Sequence, residues 1–292
     1  MTPSDNSKID NPFQANTSHK LRGDYSGIAS DYTIDQPYDQ YTAAEQERWR
    51  FLYKRQMKLM PGYAAKEFLD GLENLNAGEA IPRLDQANEV LKKASGWQLV
   101  AVPGLVPDDV FFDHLANRRF PVSWWMRGAD ELDYLVEPDI FHDFFGHVPL
   151  LSNPVFAGYM EKYGRGGPKA LAHNAQKMLA RLYWYIVEFG LIDTPDGLRA
   201  IGAGMLSSKD ETKYSVDDPK PNRIGFDLER ILNTSYMVDD FQKTYFVIES
   251  FDQLFEVCDQ DFTPYYERAT GKEPINPEAV FDDDAIFNRG QF

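Results

Sequence analysis

Cysteine is nearly absent: Cys258 is the single one in 292 residues. That excludes an intrachain disulfide and a thiolate-rich metal cluster, and it fits a reducing compartment. Histidine is almost as scarce, at five, so any imidazole site must draw on few residues. No apolar run reaches the roughly eighteen residues of a spanning helix. The opening Met1-Thr-Pro-Ser-Asp-Asn has neither the basic region nor the apolar stretch of a secretion signal. Bases are the minority charge, 30 against 46 acids, for a net charge of −16 and a pI near 4.7. That field repels phosphate backbones and anionic lipid, so neither nucleic acid nor a membrane is an expected partner. These absences point to a soluble, cytoplasmic protein that handles small molecules.

What is present can build a sizeable core, with 43% hydrophobic and 14% aromatic residues. Residues 1–30 are polar and read as a flexible arm. Thr42 and Glu45 spell a capping box, and Trp49, Leu52, Tyr53, Met57 and Met60 follow at helical spacing until Pro61, which is expected to stop the run. Further helices are expected around Phe68 and Leu72, from Pro82 to Gly96, and from Pro107 through Val110, Phe111 and Leu115. Trp97–Val102 and Arg118–Arg127 read as strands. Asn153-Pro154 opens a helix closed at Gly164-Arg-Gly-Gly-Pro168, and the longest helix is expected from Lys169 to Phe189, capped by Gly190. Leu198–Leu206 reads as a hairpin or bulged strand around Gly202 and Gly204. A short helix over Asp227–Asn233, a strand over Tyr245–Ile248 and a helix capped by Ser250 and Gln253 complete the pattern. The expected fold is mostly α with small β elements, in a single domain over residues 31–269, with 270–292 as a surface tail.

The chemistry concentrates in Glu137-Pro-Asp-Ile-Phe-His142-Asp-Phe-Phe-Gly-His147. Five residues apart on an ideal α-helix, His142 and His147 point about 140° apart. They can meet one ion only if the helix bends or ends between them, and Gly146 offers that break. Glu188 lies among Trp184, Tyr185, Ile186, Val187 and Phe189, at the expected negative end of the long helix. Desolvation and the helix dipole should both raise its pKa unless a cation compensates. Two histidines and a carboxylate match the facial triad of non-haem Fe(II) oxygenases, and equally a hydrolytic zinc site. Asp139 and Asp143 could act as a general base for the latter, or orient the imidazoles from behind. His114 and His173 read as structural.

The blocks Val102-Pro-Gly-Leu105, Glu137-Pro-Asp139, His142–Leu150, Tyr183–Leu191 and Gly202-Ala-Gly-Met-Leu-Ser-Ser208 resemble, in order, those of the pterin-dependent aromatic amino acid hydroxylases, most closely the bacterial members acting on phenylalanine. The resemblance spans roughly residues 30–262. It implies a monooxygenase that converts L-phenylalanine to L-tyrosine with O2, a tetrahydropterin and Fe(II), the iron being held by His142, His147 and Glu188. It places the pterin against Phe111, near Gly104, Leu105 and Val106, with Tyr183 on the metal side. The amino acid would be held by Arg127, Ser207 and the Gly204 backbone, with Pro138 and Trp184 lining its aromatic pocket. Tyrosine or tryptophan is the alternative substrate within that family. Animal members carry a regulatory domain and an oligomerisation helix that find no counterpart in residues 1–30 and 270–292, so a monomer is expected. Leu135-Val136 stands where those members have Thr-Pro.

Overall fold

In the computed structural model, which describes residues 21–292 apart from 134 and 239, Thr42 and Glu45 close the expected capping box reciprocally. Helix α1 (Ala43–Met57) follows, but Pro61 does not stop it. Pro61 stands in the first turn of a separate short helix, α2 (Met60–Tyr63), where its fixed φ is already helical. Helices α3 (Lys66–Leu75) and α4 (Leu84–Ala94) come next, the chain leaving α4 through Gly96 at φ +78°. Strand β1 (Gln98–Val102), helix α5 (Asp108–Ala116) and strand β2 (Arg119–Ser123) form a β-α-β unit in which β1 and β2 pair in parallel. The first twenty residues of the expected arm lie outside the described residues. Residues 21–30 run against the β1–α5 loop, where Tyr25 donates from its hydroxyl to Leu105 O at 2.9 Å.

The site histidines lie on a π-helical turn, π1 (Phe141–His147), that leads into α6 (Val148–Leu151). The next helix corrects the sequence reading. It is α7 (Pro154–Ala172), and it runs straight through the Gly164–Pro168 segment expected to end it. The glycines there serve close packing: a Cβ at Gly164 would lie 2.4 Å from Ala116 N, and one at Gly167 2.2 Å from Phe112 Cγ. They let α5 and α7 touch backbone to side chain. The real break comes at His173–Ala175, where Asn174 takes φ +53°, a left-handed turn that asparagine tolerates. What reads as one long helix is therefore the end of α7, then α8 (Gln176–Leu182), then a second π-turn, π2 (Tyr183–Glu188).

Strands β3 (Leu191–Thr194) and β4 (Gly197–Ala200) form a hairpin that turns between Thr194 and Gly197, ahead of the hairpin or bulged strand expected over Leu198–Leu206, and Gly202 and Gly204 are not in it. They flank the start of a helical turn, α9 (Ala203–Leu206), because the segment must pass close under Glu188. Helix α10 (Lys209–Asp217), strand β5 (Asn222–Gly225), helix α11 (Leu228–Asn233), strand β6 (Thr244–Ile248) and helices α12 (Phe251–Val257) and α13 (Thr263–Ala269) follow. Residues 286–288 form β7, which pairs antiparallel with β5. The five-stranded sheet has the order β4-β3-β6-β5-β7. The mostly helical architecture with small β elements is thus present. No helix among the described residues is long and apolar enough to cross a membrane.

One aromatic cluster positions π1. Phe141 and Phe145 stack at 4.9 Å and 14°, and Trp49, Tyr53 and Phe68 pack edge-on around them. Phe141, Phe144 and Phe145 are buried to within 1%, each excluding enough apolar surface to contribute on the order of 2–3 kcal/mol. That anchored face leaves His142 and His147 turned the other way, toward the cleft.

Candidate active site

A π-turn bonds each N–H to the carbonyl five residues back. Residues five apart therefore stand nearly one above the other, and the awkward spacing of His142 and His147 becomes a matched one. No break at Gly146 is needed. Gly146 has a different purpose: a Cβ there would lie 2.9 Å from Ala203 Cβ and 3.0 Å from Ala203 O, so glycine admits α9 against π1. Gly202 does the same for π2, since its Cβ would fall 2.3 Å from Glu188 O. The short α9 turn wedges between the two π-turns and holds their side chains toward one point.

At that point His147 Nε2 lies 3.1 Å from Glu188 Oε1, His142 Nε2 3.5 Å from Glu188 Oε2, and the two Nε2 atoms 3.3 Å apart. One ligand atom from each residue falls within 4.8 Å of the others, and Glu188 and His147 are buried. Such spacings suit three ligands about 2.0–2.2 Å from a shared ion. No imidazole pair with facing nitrogens satisfies itself without a proton or a cation between them. The donor set, two nitrogens and one carboxylate oxygen with no sulfur, fits ferrous iron.

Burial alone would raise the Glu188 pKa, but the two imidazoles outweigh it and hold the carboxyl below its usual range. Burial likewise opposes a charge on His142, and Glu188 overcomes it and raises the His142 pKa.

Ser207, expected beside the amino acid, has its hydroxyl 3.0 Å from His142 Nδ1, where it fixes the imidazole so that Nε2 faces the cleft. Asp139 touches neither imidazole. It takes Arg127 in a two-pronged buried pair, Nε to Oδ2 at 2.9 Å and Nη2 to Oδ1 at 2.8 Å, and it accepts from the backbone N–H of both Arg127 and His142. Burial would raise the Asp139 pKa, but the guanidinium outweighs it and holds it low. Asp143 accepts from Ser123 N at 2.7 Å, and burial pushes its pKa up. Sequence reasoning missed the Ser207 contact, because nothing in local spacing links residues 65 positions apart.

The triad lines a cleft whose empty space, counting the part open to solvent, is about 840 Å³. Gly104, Leu105, Val106, Phe111, Pro138, Asp143, Tyr183 and Trp184 all line it. Phe111 meets Tyr183 edge to face at 5.4 Å, Tyr183 lies 6.1 Å from the His147 ring, and Trp184 stacks on Tyr236 at 4.4 Å. A Cβ at Gly104 would lie 2.7 Å from Glu137 Oε1 and 3.0 Å from the Tyr25 hydroxyl, so a larger residue there would have to push those side-chain ends aside. Arg127, Gly204 and Ser207 are not among the residues that line it.

Residues 3–268 match the model of a family described as biopterin-dependent aromatic amino acid hydroxylase. Among similar proteins, the phenylalanine-4-hydroxylase of Ralstonia nicotianae is 56% identical over 285 residues, covering 95% of this chain and 91% of that one. The phenylalanine-4-hydroxylase of Chromobacterium violaceum is 57% identical over 263 residues, covering 90% and 89%. An iron- and phenylalanine-bound crystal structure of the latter superposes with a TM-score of 0.85 at 56% identity, covering 88% of this chain and 94% of that one.

Proposed function

This chain belongs to the biopterin-dependent aromatic amino acid hydroxylases, and on that footing we propose that it converts L-phenylalanine to L-tyrosine with O2, a reduced pterin and a non-haem Fe(II). The observation that carries the reading is the convergence of His142, His147 and Glu188 on one point at the floor of an aromatic-lined cleft. When bound, iron and tetrahydropterin together supply the activation of O2. The chain's own work is to bind, orient and keep dry.

His142, His147 and Glu188 hold the ion, and the Ser207 hydroxyl sets the His142 ring. Phe111 would offer the pterin a flat face, with Gly104, Leu105 and Val106 near it and Tyr183 on the metal side. Asp139 occupies Nε and Nη2 of Arg127, leaving Nη1 for the carboxylate of the amino acid. Pro138 and Trp184 flank the substrate ring, and Gly204 supplies backbone beside it. Holding three reactants in register lowers the entropic part of the barrier, and the aromatic walls exclude water from a strong oxidant. With its acidic charge and low cysteine content, the protein is assigned to the cytoplasm as a monomer, which light scattering after gel filtration checks directly.

Oxygen uptake and tyrosine release, measured with Fe(II), tetrahydropterin and each of phenylalanine, tyrosine and tryptophan, test the reading. The highest kcat/KM is expected for phenylalanine, and the lowest would overturn the choice of substrate. His142→Ala and Glu188→Ala should lose both bound iron and hydroxylation. Full turnover by either variant without metal would remove the triad from the mechanism.

A further inference from the structure

The segment between α11 and β6 carries part of the cleft wall on a turn that one buried side chain closes. Tyr236, in that segment, lines the cleft together with Trp184. The two rings stack at 4.4 Å and 16°, and Tyr236 meets Tyr185 edge-on at 6.3 Å and 87°. Farther along, Gln242 is 1% exposed, and both ends of its side-chain amide engage one residue. Its Oε1 accepts from Met237 N at 3.1 Å, and its Nε2 donates to Met237 O at 2.8 Å. Its own backbone N–H donates to Glu211 Oε1 on α10 at 3.1 Å.

A primary amide suits this task because it offers a donor and an acceptor side by side. Paired to both backbone groups of Met237, it closes the turn as a neighbouring strand would. Tyr236 is thereby held from both sides. Before it, Ser235 donates from N to Ile275 O at 2.9 Å, and its carbonyl accepts from the Tyr185 hydroxyl. After it, Met237 is held by Gln242. Glu211 in turn accepts from the Tyr245 hydroxyl at 2.8 Å, so the clasp is tied to α10 and to β6. Gln242 is not among the residues that line the cleft. What it controls is the Tyr236 ring that stands against Trp184.

We propose that Gln242 is a positioning residue for the amino acid pocket, its amide holding Met237 so that Tyr236 backs Trp184 at the substrate ring. The inference rests on the reading above that Trp184 flanks that ring. Trp184 lies on the same π-turn as Glu188, so its setting governs where the ring sits relative to the metal as well as how tightly it binds. A loosened wall weakens the amino acid's hold and lets its ring sit out of register, and small misplacements of a reacting atom cost much rate. O2 then takes two electrons and two protons from the tetrahydropterin and leaves as hydrogen peroxide, with dihydropterin formed and no tyrosine.

Steady-state kinetics of the iron-loaded protein, with tyrosine and oxidised pterin both measured, test this. Gln242→Met keeps the length of the side chain and removes both bonds to Met237. It should raise KM for phenylalanine about tenfold, leave KM for tetrahydropterin within about twofold, and lower the tyrosine formed per pterin oxidised. Tyr236→Leu removes the stacked ring and leaves the clasp in place, and it should raise KM for phenylalanine at least as far. Combined with Tyr236→Leu, Gln242→Met should add nothing further, because a residue acting through another is not additive with it. Gln242→Glu, which keeps the acceptor for Met237 N, is the second variant if Gln242→Met does not fold, and the same outcomes are read from it. An unchanged phenylalanine KM and tyrosine yield in a folded Gln242 variant, a parallel rise in KM for both substrates, or effects that add in the double variant would overturn the inference while leaving the proposed activity standing. If the unaltered protein forms no tyrosine, the proposed activity fails and this inference with it. If Tyr236→Leu alone leaves the phenylalanine KM unchanged, the inference fails together with the placing of the substrate ring at Trp184, and the activity stands.

Discussion

His142 divides its two nitrogens between structure and chemistry. Nδ1 lies 3.0 Å from the Ser207 hydroxyl, and Nε2 faces His147 and Glu188. Ser207→Ala removes the side-chain partner of Nδ1 among the described residues, so iron affinity should fall about tenfold to a hundredfold. A metal-competition titration reads this directly, and an unchanged affinity would assign the orientation of His142 to packing alone. Away from the cleft, Glu211 is a buried acid whose single neighbours are donors: Gln242 N at 3.1 Å and the Tyr245 hydroxyl at 2.8 Å. Burial dominates and pushes its pKa from 4.5 up to about 7. The folded state thus holds this proton more tightly than the unfolded chain. Stability from Glu211 is present below about pH 4.5 and is lost as pH rises toward and past 7, by roughly 3 kcal/mol in all. Glu211→Gln keeps both hydrogen bonds and should abolish that slope. Urea unfolding at pH 5 and pH 8 should then show the variant more stable than the unaltered protein at pH 8 only.

At the scale of elements, the site depends on two π-turns and the α9 wedge between them. Their glycines are spacers, and each has a measurable consequence. Gly146→Ala would bring a Cβ to 2.9 Å from Ala203 Cβ, a contact that must open by a few tenths of an ångström. The expected cost is about 1–3 kcal/mol of stability with a weaker metal site, because the shift moves π1 against α9. Gly202→Ala meets the Glu188 carbonyl at 2.3 Å, backbone against backbone, and should be the more damaging of the pair. Thermal melts and iron content of both variants check the order, and a Gly202→Ala protein as stable as Gly146→Ala would refute the wedge. Neither π-turn was legible in the sequence. A five-residue spacing read on an α-helix points the imidazoles apart, and only the widened turn restores them to one side. The glycines of 164–167 misled for a related reason, since a residue that breaks helices also permits helices to touch. Asn174 was the legible stop that the reading passed over.

For the whole molecule, the metal acts as a clasp between two distant stretches of chain. His142 and His147 belong to the turn after β2, and Glu188 to the end of α8's extension. An ion bound to the folded state alone stabilises it by mass action, about 2.7 kcal/mol at a hundredfold excess over Kd. In a protein of this size that raises Tm by roughly 5–10 °C. Scanning calorimetry should show this rise on adding Fe(II) anaerobically, its reversal by chelator, and no response in His142→Ala. An equal rise in that variant would place the stabilising ion elsewhere. The same distance explains what could be read locally and what could not. Capping boxes such as Thr42–Glu45, the apolar stripes and the residue types of the triad are short-range properties, and the sequence alone determined them. So too did the acidic charge, the absence of disulfides and the family blocks. Tertiary structure alone decided that Ser207 braces His142 and that Asp139 engages Arg127 rather than an imidazole. Those relations join residues 65 and 12 positions apart, and only the packing of helices around the aromatic cluster brings them within reach of a hydrogen bond.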